Sequence, residues 1–202
     1  MPSEGNTPHT PTDSAASMLT RDALFSLLDE LGIATSTFEH PATPTVPELK
    51  EHCSHLRGAL CKHLFLKGKK NKQLYLIIAH VNTEINLKKL AGDVGEKDCL
   101  RMASTELLLQ VLGITPGSVS PFCLLNDRES HMVNVVIVDS TLTNHPALNV
   151  HPLDNTATTT VELPDMMRLL EYCGHNVMLY NFDEKPIVDE AEEEKEDDHP
   201  WW

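Results

Sequence analysis

No stretch of this chain approaches the roughly 18 consecutive apolar residues of a membrane-crossing helix, so no membrane partner is expected. It has no Gly-x-Gly-x-x-Gly and no Walker loop, the glycine patterns that bring a backbone close to a bound phosphate. It also lacks a Gly-x-Ser-x-Gly elbow, so a Ser/His/Asp hydrolase has no local signature. The five cysteines, Cys53, Cys61, Cys99, Cys123 and Cys173, are odd in number and have no close pairing. That pattern fits reduced thiols in the cytosol better than a disulfide framework. Their apolar or helical surroundings suggest buried, inert thiols. His52, Cys53 and His55 lie close together without a second pair at zinc spacing, so neither a metal nor a cofactor is expected. The first residues have no basic segment leading into an apolar one, so a secretory signal is not expected. No internal repeat is visible.

An apolar fraction of 41% is enough for a real core, and 202 residues suit one domain with tails. The net charge of −14 is unevenly placed. From Asp183 onward ten acids face two lysines, which leaves about −6 for the rest. The basic segment Lys67 to Lys72 reads as a solvated turn. This balance disfavours a broad duplex-binding surface but permits a small contact with one nucleic-acid end.

Residues 1–17 are rich in Pro, Ser, Thr and Asn and are expected to be a disordered tail. The acidic run through Asp198 makes 185–202 a second such tail. Trp201 and Trp202 at its end are either a docking element or a plain chain end. Residues 18–184 carry the pattern of a domain. Thr20 can cap a helix bearing Leu24, Leu27, Leu28 and Leu31, which Gly32 ends. Ser36 to His40 reads as a short strand before Pro41, and Val46 to His55 as a short helix. Cys61–Leu66 and Gln73–Ala79 flank the Lys/Gly/Asn turn as a hairpin. Ile85–Leu90 and Met102–Leu112 read as helices, with Ser104 as N-cap of the second. Val133–Val138 is a β-branched strand expected to be covered on both faces. Leu148–Val150 and Thr158–Val161 are further strands. Pro164 opens a helix closed by Gly174, and Val177–Phe182 is the last strand. Helices and hairpins without regular β-α-β alternation predict an α+β domain with a mostly antiparallel or mixed central sheet.

Three features hold chemistry. Lys62, among apolar strand residues, calls for an anionic partner or a ligand, unless it is an ordinary strand-edge lysine. Gly117 to Pro121 is a loop held at both ends: Gly117 opens unusual backbone angles and Pro121 fixes its own. It is either a tight connection or a cradle whose N–H groups meet an anion or a developing oxyanion. The third is His151-Pro-Leu-Asp-Asn155-Thr-Ala-Thr158.

In this order and at these separations the features resemble one family, the prolyl-tRNA synthetase-associated editing domains of YbaK/ProX type. The matching text is KHLFL, YLIIA, INLKKLA, LGITPGSVSPFCLLND, VNVVIVDSTL and HPLDNTATTTV, spread over about residues 20–183. The resemblance implies a cytoplasmic aminoacyl-tRNA deacylase related to the enzymes that clear tRNA(Pro) mischarged with alanine. A synthetase site built for proline rejects a smaller amino acid by only about 1–3 kcal/mol, so a second sieve is needed.

The implied chemistry is attack of water on the aminoacyl ester. Main-chain N–H groups at Gly117, Ser118 and Val119 would stabilise the oxyanion. Lys62 would bind a phosphate or ribose oxygen of the terminal adenosine, and a ribose hydroxyl would help activate the water. Pro121 and His63 belong to the substrate-binding set. His151 would shape the amino-acid pocket, with Asn155 and Thr158 orienting its loop. The family usually has Asn after the lysine; here it is His63, which bears on amino-acid preference. Two other readings stay open: the same chemistry on a tRNA bearing serine or cysteine, and a non-catalytic module that recruits a tRNA or an aminoacyl-tRNA synthetase.

Overall fold

A computed structural model describes residues 18–70 and 72–183. The two tails expected from composition, with Trp201 and Trp202, lie outside the described residues.

Local signals start and stop the helices. The Thr20 hydroxyl accepts from the Ala23 N–H and opens α1 (Arg21–Glu30), whose Leu24 and Leu28 are buried. β1 (Thr35–Glu39) follows, then α2 (Val46–Cys53), with Pro47 in its first turn. β2 (Ala59–Gly68) and β3 (Leu74–His80) form the expected antiparallel hairpin, with Lys62 opposite Ala79. Lys62 is the fourth residue of its strand, which begins two residues before the expected Cys61. Asn86 caps α3 (Leu87–Asp93). Met102, expected in a helix, instead ends a three-residue strand, β4 (Leu100–Met102). The helix α4 (Thr105–Leu112) begins after Ser104, whose hydroxyl accepts from Leu107 N–H. A 3-10 turn (Pro121–Cys123) and the short α5 (Leu124–Asp127) lead to β5 (Val133–Asp139). Then come β6 (Ala147–Val150), β7 (Ala157–Glu162), α6 (Leu163–Cys173) and β8 (Val177–Tyr180). Gly174 closes α6 in the left-handed conformation, φ 72°.

The strands form one eight-stranded sheet in the order β1-β7-β6-β2-β3-β5-β8, with β4 beside the end of β2. Four of the seven pairings are antiparallel; β2–β6, β3–β5 and β5–β8 are parallel. The α+β expectation holds, with a mixed sheet. Alternation along the central strands feeds two cores. Phe65, Leu74, Leu76 and Ile78 face the larger one, shared with α1, α4, α5 and α6. Leu66, Tyr75, Ile77 and Ala79 face the smaller one under α3.

Asn126 and Asp127, the end of the most distinctive text in the sequence, are structural staples. Asn126 Oδ1 accepts from Leu19 N–H and its Nδ2 donates to Leu112 O, joining the N-terminal arm to α4. The buried Asp127 carboxylate accepts from Met132 N–H, Val133 N–H and the Ser130 hydroxyl, and pairs with His175. Burial raises its pKa, but these bonds outweigh burial and leave it below the ordinary carboxylate range.

Candidate active site

The cavity exists because β2 is longer than its neighbours on one edge. That edge pairs with β6 only at Ala59 and Leu60, and with β4 only at Leu66 to Gly68. The stretch between, Cys61 to Phe65, has no strand beside it on that edge, and the Phe65 carbonyl at its end accepts from Ala103 N–H at 2.9 Å. Side chains alternate across a strand, so Lys62 and His63 leave β2 on opposite faces. At an unpaired edge both can border the same cavity.

That cavity, about 330 Å³, is walled by Cys61 to Phe65 of β2, by Thr43 to Val46 and Leu49 before and within α2, and by Met102, Ala103, Thr105 and Leu108 around α4. Pro116, Gly117, Val119 and His151 complete it. The structure therefore brings together five of the sequence-predicted residues: Lys62, His63, Gly117, Val119 and His151.

The other four stand behind the wall. Ser118 is buried, and its N–H donates to Thr115 O at 3.2 Å. The expectation of a free Ser118 N–H is thereby corrected: the turn that exposes Gly117 consumes that donor. Pro121 opens the 3-10 turn that ends the loop, and is buried. Asn155 braces the loop: its carbonyl accepts from Thr43 N–H, and its side-chain nitrogen lies 3.2 Å from where a Cβ on Gly117 would sit. Gly117 has φ +89°, open to glycine and strained for other residues. Thr158 bonds His40, not the loop of His151: the two are linked at 2.9 Å, and Cys53 Sγ–H donates to the same hydroxyl at 3.5 Å. His40, which sequence reading passed over as a strand end, donates from Nδ1 to Pro41 O, so its Nε2 accepts from Thr158. Only the His40-Pro41 pair hinted at it.

Lys62 donates to the main-chain carbonyl of Thr83, a neutral partner, where an anionic partner or a ligand was expected. Burial lowers its pKa, nearby Lys50 lowers it further, and Asp139 and Glu84 oppose both. Thr83 is itself fixed by donating its hydroxyl to Asp139, which also accepts from His80 N–H and from the N–H and hydroxyl of Thr141. His151 Nδ1–H donates to Ala157 O at 2.9 Å, which leaves Nε2 as a lone pair. Burial lowers its pKa. Burial pushes His63 down to about 3, with His151 adding to the effect and the Val119 backbone opposing it. Both rings are neutral near pH 7. Cys61 lines the cavity, but burial pushes its thiol to about 12, so it is no nucleophile there. Cys99 departs from the expectation of buried thiols: it is exposed, and the other four are buried.

The cavity thus joins one lysine, two imidazoles that are neutral near pH 7 and a glycine-proline loop, and burial holds the cysteine in its wall protonated. Residues 40–169 match the sequence profile of the aminoacyl-tRNA editing domain. The chain is 34% identical over 163 residues to prolyl-tRNA synthetase associated domain-containing protein 1 of Danio rerio, covering 81% of this chain and 88% of that protein. It is 32% identical to the prolyl-tRNA editing protein ProX of Acetoanaerobium sticklandii, over 77% of this chain and 93% of that one. A crystal structure described as a candidate trans-editing enzyme for prolyl tRNA synthetase superposes with a TM-score of 0.55 at 21% identity, over 78% and 94% of the two chains. The chain belongs to the aminoacyl-tRNA editing domain family. Among the described residues no helix is long and apolar enough to cross a membrane.

Proposed function

We propose that the protein hydrolyses the ester of a mischarged aminoacyl-tRNA in trans, with Ala-tRNA(Pro) as the substrate. The observation that carries this reading is the meeting of Lys62, His63, Gly117, Val119 and His151 around one cavity at the open edge of β2. An aminoacyl ester is activated enough for water to attack it, provided the water is held in line and the oxyanion is met by fixed donors. The N–H groups of Gly117 and Val119 are those donors, held by the Ser118 turn on one side and Pro121 on the other. Lys62 releases the Thr83 carbonyl, or shares it, to meet an oxygen of the terminal adenosine. The imidazoles of His63 and His151 wall the amino acid without charging. Leu49, Phe65 and Leu108 make the surroundings apolar, which disfavours charged side chains through their desolvation cost.

A second reading, serine or cysteine in place of alanine, is favoured by His63, a polar side chain that stands in the cavity wall with Leu49, Phe65 and Leu108. A panel of aminoacyl-tRNAs at equal concentration decides between them. Release of alanine with Pro-tRNA(Pro) left intact is expected. Alanine among the poorest substrates would overturn the first reading, and no turnover on any member would leave a tRNA- or synthetase-binding module.

A further inference from the structure

The turn between β2 and β3, together with β4, gathers cations that the proposed hydrolysis does not use. Lys67 of β2 lies directly opposite Arg101 of β4. Lys69, Lys70 and Lys72 follow in the turn, and Lys97 stands just before β4. All of these but the half-buried Lys67 are exposed. The acids on the same segments do not cancel them. Asp98 meets Lys70 at 3.5 Å, the buried Glu96 accepts from the Tyr75 hydroxyl at 2.8 Å, and Glu106 stands in the first turn of α4. Lys67, Lys69, Lys72, Lys97 and Arg101 belong to no ion pair among the described residues. Like charges directly opposite on paired strands destabilise the pair, so an anion bound between Lys67 and Arg101 would relieve a cost. Next to Arg101, Met102 is 59% exposed.

The matching chemistry lies in the sequence beyond the described residues. Asp189 to Asp198 carry eight acids and one lysine, and Trp201 and Trp202, the two tryptophans of the chain, follow three residues later. The reach is sufficient. Tyr180 lies beside Asp139, at the end of the sheet away from the β2–β3 turn. From there the turn is about 20 Å along the strands and about 10–15 Å across them. The fifteen residues from Asp183 to Asp198 span up to about 50 Å when extended. A segment of the same chain meets the patch at an effective concentration of about millimolar order. We propose that Asp189 to Asp198 dock on Lys67, Lys69, Lys72, Lys97 and Arg101 of the same chain, and that the tryptophan pair covers Met102, whose thioether suits an aromatic ring. Met102 and Ala103 belong to the cavity wall, so the docked segment lies at the cavity mouth, and another polyanion must displace it to reach the patch. The docking does not depend on the deacylase reading.

The chain carries the probes for a test that needs no turnover. Its tryptophans are confined to positions 201 and 202, and Cys99, between Lys97 and Arg101, is exposed while the other four cysteines are buried. The full chain is labelled on Cys99 with a dansyl acceptor, and energy transfer from the tryptophans is measured. Transfer well above that of the same labelled chain in urea is expected, and it should not change on dilution. It is expected to fall about twofold or more as salt rises from about 0.01 M to about 1 M, because the screening length shrinks from about 30 Å to about 3 Å. Lys69→Glu combined with Lys72→Glu, both at exposed positions of the turn, should give a similar fall at low salt. So should Glu192→Gln, Glu193→Gln and Glu194→Gln together, which leave the domain untouched. Transfer no higher than in urea, or transfer that neither salt nor the two variants reduce, would overturn the proposal. Transfer that fades on dilution would overturn it as well, because the acidic segment would then sit on a second copy.

Discussion

Lys62 and Asp139 are joined through a single residue: the Thr83 carbonyl accepts from the Lys62 ammonium while the Thr83 hydroxyl donates to the Asp139 carboxylate. The lysine is the cavity end of that chain and the aspartate its anchor. Lys62→Ala is expected to lower deacylation at least about tenfold. Asp139→Asn is expected to act mainly on KM, because it loosens Thr83 without removing the ammonium. Equal rates for Lys62→Ala and the parent would remove Lys62 from the reaction.

Asp139 also has a pH signature. Burial raises its pKa, yet the bonds from Thr83, Thr141 and His80 leave it below the ordinary range. A depressed native value means the stabilisation is complete above the unfolded pKa of about 3.9 and is lost as pH falls through the native value. Asp139→Asn is expected to cost about 2–4 kcal/mol near pH 7, since two main-chain donors lose a charged acceptor. The cost should shrink as pH drops below about 4. Urea denaturation at several pH values measures both.

Gly117→Ala tests the loop. At φ +89° a side chain is strained, and the added Cβ would meet Asn155 Nδ2 at 3.2 Å. The strain is of order 1–2 kcal/mol, and the N–H groups at Gly117 and Val119 would be re-aimed. A fall in kcat of about tenfold or more is expected, with a small loss of stability. Adding Asn155→Ala relieves the contact but not the backbone angle, so the double variant should stay slow. Full recovery in the double variant would show that crowding, not the φ angle, is the constraint.

Much of this was legible locally. The Thr20 and Ser104 caps, the Gly174 stop and the hairpin obey rules that act within a few residues. β4 escaped because three residues, two of them exposed, carry no periodic signal. The parallel pairings of β2 with β6 and of β3 with β5 leave no local trace. Lys62 was visible as a cation among apolar residues, but its partner, the Thr83 carbonyl, was not. The cavity itself is a missing strand neighbour along β2, a tertiary fact that no stretch of sequence encodes by itself. His40 was missed for the same reason: its partner Thr158 is 118 residues away.

The resemblance puts Asn at the position of His63, so His63→Asn probes amino-acid preference. It is expected to change the ratio of alanine to serine release within the roughly 1–3 kcal/mol that one pocket contact can supply. The pH–rate profile above pH 5 should keep its shape, because a ring with a pKa of about 3 is neutral throughout that range. Stability should respond differently. Between pH 3 and the unfolded value of about 6.5, only the unfolded chain binds the extra proton, so the parent loses stability as pH falls through this window. The slope is bounded by about 1.4 kcal/mol per pH unit. A variant that keeps the same slope would show that another group is responsible.

Thr158 separates support from chemistry. Its hydroxyl donates to His40 Nε2 and accepts from the Cys53 thiol, and Thr158 is not among the cavity walls. Thr158→Val leaves a buried imidazole lone pair without a donor and is expected to cost about 1–3 kcal/mol of stability. Thr158→Ser keeps the hydroxyl and should recover most of it. Because His40 sits 6.2 Å from His151, ring centre to ring centre, a small change in KM is expected once assays are run well below the unfolding temperature. A tenfold loss of kcat in Thr158→Val, with an unchanged denaturation midpoint, would mean that the hydroxyl reaches the substrate after all.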